Sequence, residues 1–319
     1  MTRAFVFPGQ GAQTIGMGKA LAEAYPAAKA VFDEVDEALG ESLSGLIWDG
    51  EQDDLTLTQN AQPALMATSL AAMRALEAEG VGIQAAAYVA GHSLGEYSAL
   101  AAAGALSIAD AARLLRTRGL AMQQAVPVGI GAMAALLGLD FATADKIARQ
   151  AAKDTQQVCQ AANDNDPAQV VISGHADAIK HAVELAREAG AKRAVMLPVS
   201  APFHCALMEP AAAVMAEALE KVDIKEPAVP LVANVLAHDV SQPSTVRSLL
   251  VDQVTGSVRW RESVAWMAGK GVTEFWEIGA GKALSGMIRR IDKTATTRAV
   301  GTPDEVKAAV ESLAASADN

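Results

Sequence analysis

Aromatic residues make up only 4% of this chain of 319 residues, and it has two cysteines, Cys159 and Cys205. Two cysteines build no disulfide framework, so the fold must rest on its apolar core. Scarce aromatics beside 51% hydrophobic residues, with alanine-rich stretches such as "SALAAAGAL" at 98–106, point to closely packed helices rather than an aromatic-rich β-sandwich. Positive charge is also short: 26 Lys and Arg stand against 37 Asp and Glu, for a formal net charge of -11, and no segment carries a long basic run. A nucleic-acid partner is therefore not expected, because phosphate contacts need a local excess of Lys and Arg. No run of about 18 uncharged apolar residues occurs, so no membrane span is expected. The opening "MTRAFVFPGQG" lacks the long apolar stretch of a secretion signal, and a cytoplasmic location is the expectation.

At this length, one large domain with an insertion or two domains is expected. "RAFVFPG" at 3–9 and "AAAYVAGHS" at 85–93 read as short buried strands running into loops. Helical patterns lie between them, over about 16–40 and 63–79, and two more follow at 94–105 and 107–125. Ser107 with Asp110 makes a capping signal for the second of these. From residue 129 the order becomes strand, helix, strand, strand, helix, strand, ending near 199, with "NDNDP" at 163–167 as the turn between the middle strands. That is a ferredoxin-like unit, small enough to be an inserted domain at 129–197. Afterwards the alternation resumes with helices at about 208–221, 243–255, 260–269, 282–291 and from 303, and strands at "VPLVAN" and "TEFWEIG". The fold class is α/β with a parallel sheet, residues 1–128 and 198–319 forming the large domain.

"GHSLGEYSAL" at 91–100 places Ser93 in G-x-S-x-G between a strand and a helix. In that setting the serine sits on a sharp turn with its Oγ lifted from the sheet, and the helix N-terminus offers the Leu94 N–H to an oxyanion. A purely structural turn is the other reading of the motif. Five histidines could act as its base: His92, His175, His181, His204 and His238. His204 is favoured, because "VSAPFHCALMEP" lies where the large domain resumes and an interdomain cleft would open. His175 and His181 read as solvated helix residues, His238 as a loop residue, and His92 as a neighbour that either orients the elbow or is structural. No acid in a motif completes a triad, although a backbone carbonyl would serve, since an acceptor for the Nδ1 proton is what is required. Arg118, among Leu120, Ala121 and Met122, is either a surface arginine or a fork reaching into the cleft toward a carboxylate. "PGQGAQ" at 8–13 lacks the Lys-Ser/Thr pair of a phosphate loop, so the Gln10 N–H is better used as a second oxyanion donor. Cys205, beside His204, reads as a buried small hydrophobe rather than a nucleophile.

Taken together, "FVFPGQGAQ", "QPAL" at 62–65, "GHSLGEYSAL", "RTRG" at 116–119, "NDNDPAQVVISG", "LPVSAPFHCALMEP", "VDQVTGSVRW" at 251–260 and "EIGAGKALSGMIRR" at 277–290 resemble the malonyl-CoA:acyl carrier protein transacylases of fatty acid synthesis and the related polyketide synthase acyltransferase domains. The motifs run in order over essentially the whole chain. The resemblance implies an α/β-hydrolase-like large domain, Ser93 as nucleophile, His204 as base, and the backbone carbonyl of Gln253 in place of a third-member acid. It implies Gln10 and Leu94 as the oxyanion hole and Arg118 as the partner of the malonyl carboxylate. Gln62, Met122, His92 and Phe203 would line the substrate pocket. Phe203 before the base goes with malonyl rather than methylmalonyl in the polyketide enzymes. No metal or permanently bound cofactor is implied: malonyl-CoA is the donor, and the phosphopantetheine arrives on the carrier protein.

An acidic carrier meeting an acidic chain needs a local basic patch, for which Arg116, Lys192, Arg193, Lys282, Arg289 and Arg290 are candidates. A monomer is the default expectation. The competing readings are a trans-acting polyketide acyltransferase, a serine esterase or thioesterase built on the same elbow, and a non-catalytic scaffold.

Overall fold

The computed structural model describes residues 2–199 and 201–317, with side chains through 313. Residues 1, 200, 318 and 319, all of which fall in the expected large domain, lie outside the described residues.

The chain opens with β1 (Thr2–Phe7), then α1 (Lys19–Ala24), α2 (Pro26–Leu39), α3 (Leu43–Asp49), α4 (Gln52–Thr56) and α5 (Thr58–Ala78). β2 (Tyr88–Gly91), α6 (Gly95–Ala102) and α7 (Ile108–Gln124) follow. Next come β3 (Gly131–Leu137), α8 (Phe141–Thr155), β4 (Cys159–Asp166), β5 (Gln169–His175), α9 (Ala176–Glu188) and β6 (Arg193–Met196). The last third holds α10 (Glu209–Glu220), β7 (Leu231–Val232), β8 (Asp239–Val240), α11 (Pro243–Thr255), α12 (Trp260–Gly269), β9 (Val272–Ile278), α13 (Ala283–Ile291), β10 (Thr296–Val300) and α14 (Pro303–Ala317).

Two sheets result. One has the order β10-β9-β1-β2-β7-β8 and is parallel except for β8. Its central strand β1 is buried on both faces: Phe5 and Phe7 pack on one side with α2, α5 and α7, while Ala4 and Val6 pack on the other with Trp260 and Phe275. Such two-sided burial explains the unbroken apolar run "AFVF". The other sheet, β4-β5-β3-β6, is antiparallel throughout, which is the ferredoxin-like order. One of its faces packs Leu136, Val170 and Ile172 against α8 and α9. The opposite face carries Met133, Ala135 and Val171 toward Leu197, Val199 and Phe203.

Local chemistry accounts for most boundaries. Ser107 Oγ accepts from the Asp110 N–H at 3.0 Å and starts α7 where the capping signal placed it. The helix expected over 16–40 is broken at Tyr25, which is extended ahead of Pro26. "NDNDP" is not a turn. Asn163 to Asp166 belong to β4 and are buried, and only Pro167 and Ala168 turn the chain. Two register shifts in the β4–β5 ladder break the alternation there. Three of these four polar side chains are partnered: Asp164 with Arg261, Asp166 with Arg290, and Asn165 with His92. Beside them, the Asp164 N–H donates to Val258 O at 2.9 Å and the Val258 N–H to Ala162 O at 2.8 Å, tying β4 to the segment before α12.

Candidate active site

Ser93 stands between the end of β2 and the start of α6 with φ 53°, in the left-handed region. For a serine that conformation costs about 1–3 kcal/mol, so the surroundings must impose it. They do so through Asn234, which follows β7. The Ser93 N–H donates to Asn234 Oδ1 at 2.8 Å, and Asn234 Nδ2 donates to the Gly91 carbonyl at 2.6 Å. The turn is tight enough that a Cβ on Gly91 would lie 1.9 Å from the Gly95 carbonyl oxygen.

His204 also has a left-handed backbone, with φ 58°, and its ring is buried. Its Nε2 lies 2.8 Å from Ser93 Oγ, and its Nδ1 lies 2.9 Å from the Gln253 carbonyl oxygen. A carbonyl only accepts, so the proton sits on Nδ1 and the Nε2 lone pair faces the serine hydroxyl. Gln253 is in the last turn of α11, where carbonyls lack intrahelical partners and carry the negative end of the helix dipole. Burial, aided by the charge of Arg118, holds the His204 pKa down at about 3, so the ring is neutral and ready to accept a proton.

Arg118 reaches the same point from α7. That helix can lie close against α5 because Gly119 has no side chain; a Cβ there would stand 2.5 Å from Gln59 Cα. The arginine is 1% exposed. Its Nη1 donates to Gln62 Oε1 at 2.7 Å, and its Nη2 donates to Gln253 Oε1 at 2.8 Å and to Ser93 Oγ at 3.1 Å. Every one of these partners is neutral. Burying a guanidinium without a carboxylate in contact is unfavourable, which makes the site a receptor for an anion presented beside Ser93.

These groups open onto a cavity of about 430 Å³ between the two sheets. Gln10, Gln62, His92, Leu94, Met122 and Phe203 all line it, with Ser93, Arg118 and His204. Gln253 stands behind the wall. Gln10 is joined to Arg118 through Thr58 and Gln62, by Thr58 Oγ1 donating to Gln10 Oε1 at 3.0 Å and Gln62 Nε2 donating to Thr58 Oγ1 at 3.0 Å. His92 Nε2 lies 2.8 Å from Asn165 Oδ1, and burial lowers its pKa against the pull of that bond. Neither the Gln10 nor the Leu94 N–H donates to another backbone group among the described residues.

An apolar cleft holding a serine on an elbow, a neutral histidine and a buried arginine suits transfer of an acyl group that bears a negative charge. The acyl transferase domain family matches residues 4–303. The chain belongs to this family. It is 47% identical over 316 residues, 99% of this chain and 98% of the relative, to the malonyl CoA-acyl carrier protein transacylase of Bacillus subtilis (strain 168). The crystal structure of an acyl-carrier-protein-S-malonyltransferase from Bartonella henselae superposes with a TM-score of 0.96 at 55% identity, covering 98% of this chain and all of that one (100%). A malonyl-transacylase in complex with a type II PKS acyl-carrier protein superposes with a TM-score of 0.94 at 40% identity, covering 98% of this chain and 100% of the other.

In this acyl transferase the other expected residues are dispersed. His181 pairs with Asp154, His175 Nδ1 accepts from the Val158 N–H, and His238 contacts its own loop at the Asp239 carbonyl. Cys205 is buried, its Sγ donating to Pro202 O at 3.2 Å. Of the six basic candidates for docking, three are engaged by acids: Arg116 by Glu41, Lys282 by Glu305 and Arg290 by Asp166. Arg289 donates to Thr297 Oγ1, while Lys192 and Arg193 are exposed at the start of β6. Sequence reasoning missed Asn234, Asn165, Glu96 and the side chain of Gln253. An amide following a strand, as in "LVAN", was the one available signal for Asn234. Nothing local marks the others.

Proposed function

We infer that this protein is an acyltransferase that moves a malonyl group from malonyl-CoA to the phosphopantetheine thiol of an acyl carrier protein, supplying the malonyl carrier for fatty acid chain elongation. The observation that carries the reading is Arg118, a buried guanidinium 3.1 Å from Ser93 Oγ with only neutral partners. The carboxylate of a malonyl group, two bonds beyond the thioester carbonyl, would put an anion in direct contact with the fork, which none of its present hydrogen-bond partners does.

Ser93 Oγ attacks the thioester carbonyl carbon while His204 Nε2 takes the hydroxyl proton; the Gln253 carbonyl holds the opposite ring N–H. The oxyanion that forms is met by the N–H groups of Leu94 and Gln10. Collapse breaks the C–S bond, and the departing CoA sulfur takes the proton from His204. In the second half the pantetheine thiol gives its proton to His204, its sulfur attacks the malonyl-Ser93 ester, and Ser93 Oγ leaves with that proton. No permanently bound cofactor takes part. Gln62 and Met122 shape the pocket around the carboxylate, His92 with Asn165 borders the elbow, and the bulk of Phe203 leaves little room for an α-methyl branch.

Several finer assignments belong to the same reading. Residues 1–128 and 198–319 act as the catalytic domain and 129–197 as a ferredoxin-like domain that roofs the cleft. The enzyme works as a cytoplasmic monomer; no helix among the described residues is long and apolar enough to cross a membrane. The acidic carrier docks on basic residues among Arg116, Lys192, Arg193, Lys282, Arg289 and Arg290. Intact-mass measurement after mixing with malonyl-CoA, without carrier, tests the whole: one malonyl group is added to the wild type and none to Ser93→Ala. Turnover to free malonate with no adduct, and no transfer to a thiol, would identify a hydrolase instead.

A further inference from the structure

Glu96 is a carboxylate that the transfer chemistry does not touch. It sits in the first turn of α6, three residues after the nucleophile, and is 1% exposed. One oxygen, Oε2, accepts two hydrogen bonds: from Gln253 Nε2 at 2.8 Å and from the Asn234 N–H at 3.1 Å. Between them these two residues hold all three groups of the site. Asn234 fixes the Ser93 backbone, the Gln253 carbonyl receives His204 Nδ1, and Gln253 Oε1 receives Arg118 Nη2.

The geometry turns on which way round the Gln253 amide sits. With its NH2 toward Glu96 Oε2 and the Ser93 carbonyl at 3.0 Å, its oxygen is left to face Arg118. Rotated by half a turn, the amide would set donor against donor at Arg118 and acceptor against acceptor at Glu96. The Glu96 oxygen and the Ser93 carbonyl therefore select the orientation together, Glu96 through the shorter bond, and the Asn234 N–H on the same oxygen keeps that oxygen in place.

We propose that Glu96 is a positioning residue for malonyl selection: by fixing the Gln253 amide it presents an oxygen to Arg118 and holds the guanidinium where the malonyl carboxylate meets it. The role rests on the malonyl-transfer reading above. It depends on the acceptor oxygen rather than on charge. Burial pushes the Glu96 carboxyl up to about 7, against the hydrogen bonds of Gln253 and Asn234 and the charge of Arg118, so the group is partly protonated at neutral pH while Oε2 still accepts.

Steady-state transfer of malonyl and acetyl groups from CoA to the carrier, in wild type, Glu96→Met and Glu96→Gln, tests it. Methionine keeps the volume and removes the acceptor. It is expected to lower kcat/KM for malonyl by roughly 30- to 150-fold, mainly through KM, and that for acetyl by less than about fivefold. Glutamine restores the oxygen and should return malonyl transfer to within about threefold of wild type. Glu96→Ala, which leaves room in place of bulk, stands in if the methionine variant does not fold. Equal losses for the two acyl groups, or a glutamine variant as poor as the methionine one, overturns the role of Glu96 alone. A wild type that moves acetyl as well as malonyl overturns the malonyl reading itself.

Discussion

Replacing Arg118 with alanine separates recognition of the carboxylate from the acyl chemistry. The guanidinium donates to Gln62 Oε1, Gln253 Oε1 and Ser93 Oγ at 2.7, 2.8 and 3.1 Å. Once a malonyl group enters, the same buried fork faces a carboxylate. Removing one partner of a buried, hydrogen-bonded charge pair costs about 3–5 kcal/mol. At 1.36 kcal/mol per tenfold in rate, that is roughly a 150- to 5,000-fold loss in kcat/KM for malonyl. Acetyl has no carboxylate to strand. It loses only the weak contact between Arg118 and Ser93 Oγ, and His204 gains basicity once the nearby positive charge is gone. Acetyl transfer should therefore stay within about tenfold of wild type. The assay is kcat/KM for both acyl-CoA donors with one carrier protein. It must run well below the melting temperature, since the buried oxygens of Gln62 and Gln253 each lose a donor at a cost of about 1–3 kcal/mol. Equal losses for malonyl and acetyl would refute the reasoning, because they would place Arg118 in the shared chemistry and leave the carboxylate without a receptor.

The loading of Ser93, followed by rapid quench and mass analysis, should show no acid limb near the ordinary imidazole value of 6.5, because His204 remains neutral down to about 3; a limb centred near 6.5 would contradict the buried base. The sign for stability is the reverse of a paired histidine: the unfolded chain takes up this proton first, so His204 removes stability as pH falls from about 6.5 toward 3. Transfer to the carrier should slow with rising salt while loading from malonyl-CoA changes less, and Arg193→Glu, at an exposed cation, should raise KM for the carrier by about two- to fivefold. Salt-independent transfer would remove electrostatic docking.

Much of the fold is written locally. The helices over α7, α11, α12 and α13 fall where apolar periodicity and caps put them, and the strand-helix order of 129–197 matches the sheet that forms. The two edge elements β8 and β10 escape such reading: one is two residues long, and the other, "TTRAV", has a single buried residue. The "NDNDP" stretch misleads for a related reason. Asn, Asp and Pro favour turns in isolation, but partners from α12, α13 and the elbow satisfy three of the four polar side chains and let the strand continue. Motif and context singled out Ser93 and His204, with other readings open, while Arg118 as a cleft residue and the Gln253 carbonyl came from the family resemblance.

Sequence alone pointed to the elbow, since G-x-S-x-G between a strand and a helix needs only local sterics, and it set most of the order of elements, with β8, β10 and the break at Tyr25 excepted, and the residue types able to act. Tertiary structure decided the rest. Glu96, Asn234 and Gln253 lie 138 and 157 residues from one another along the chain as counted from Glu96, yet they meet at one oxygen. Their meeting carries no local signal, beyond the amide after a strand at Asn234, because a hydrogen bond depends on distance in space and on which atoms face each other. Burial shifts pKa values in the same way: a histidine held near 3 and a glutamate raised to about 7 are properties of an enclosed site, which the folded chain creates.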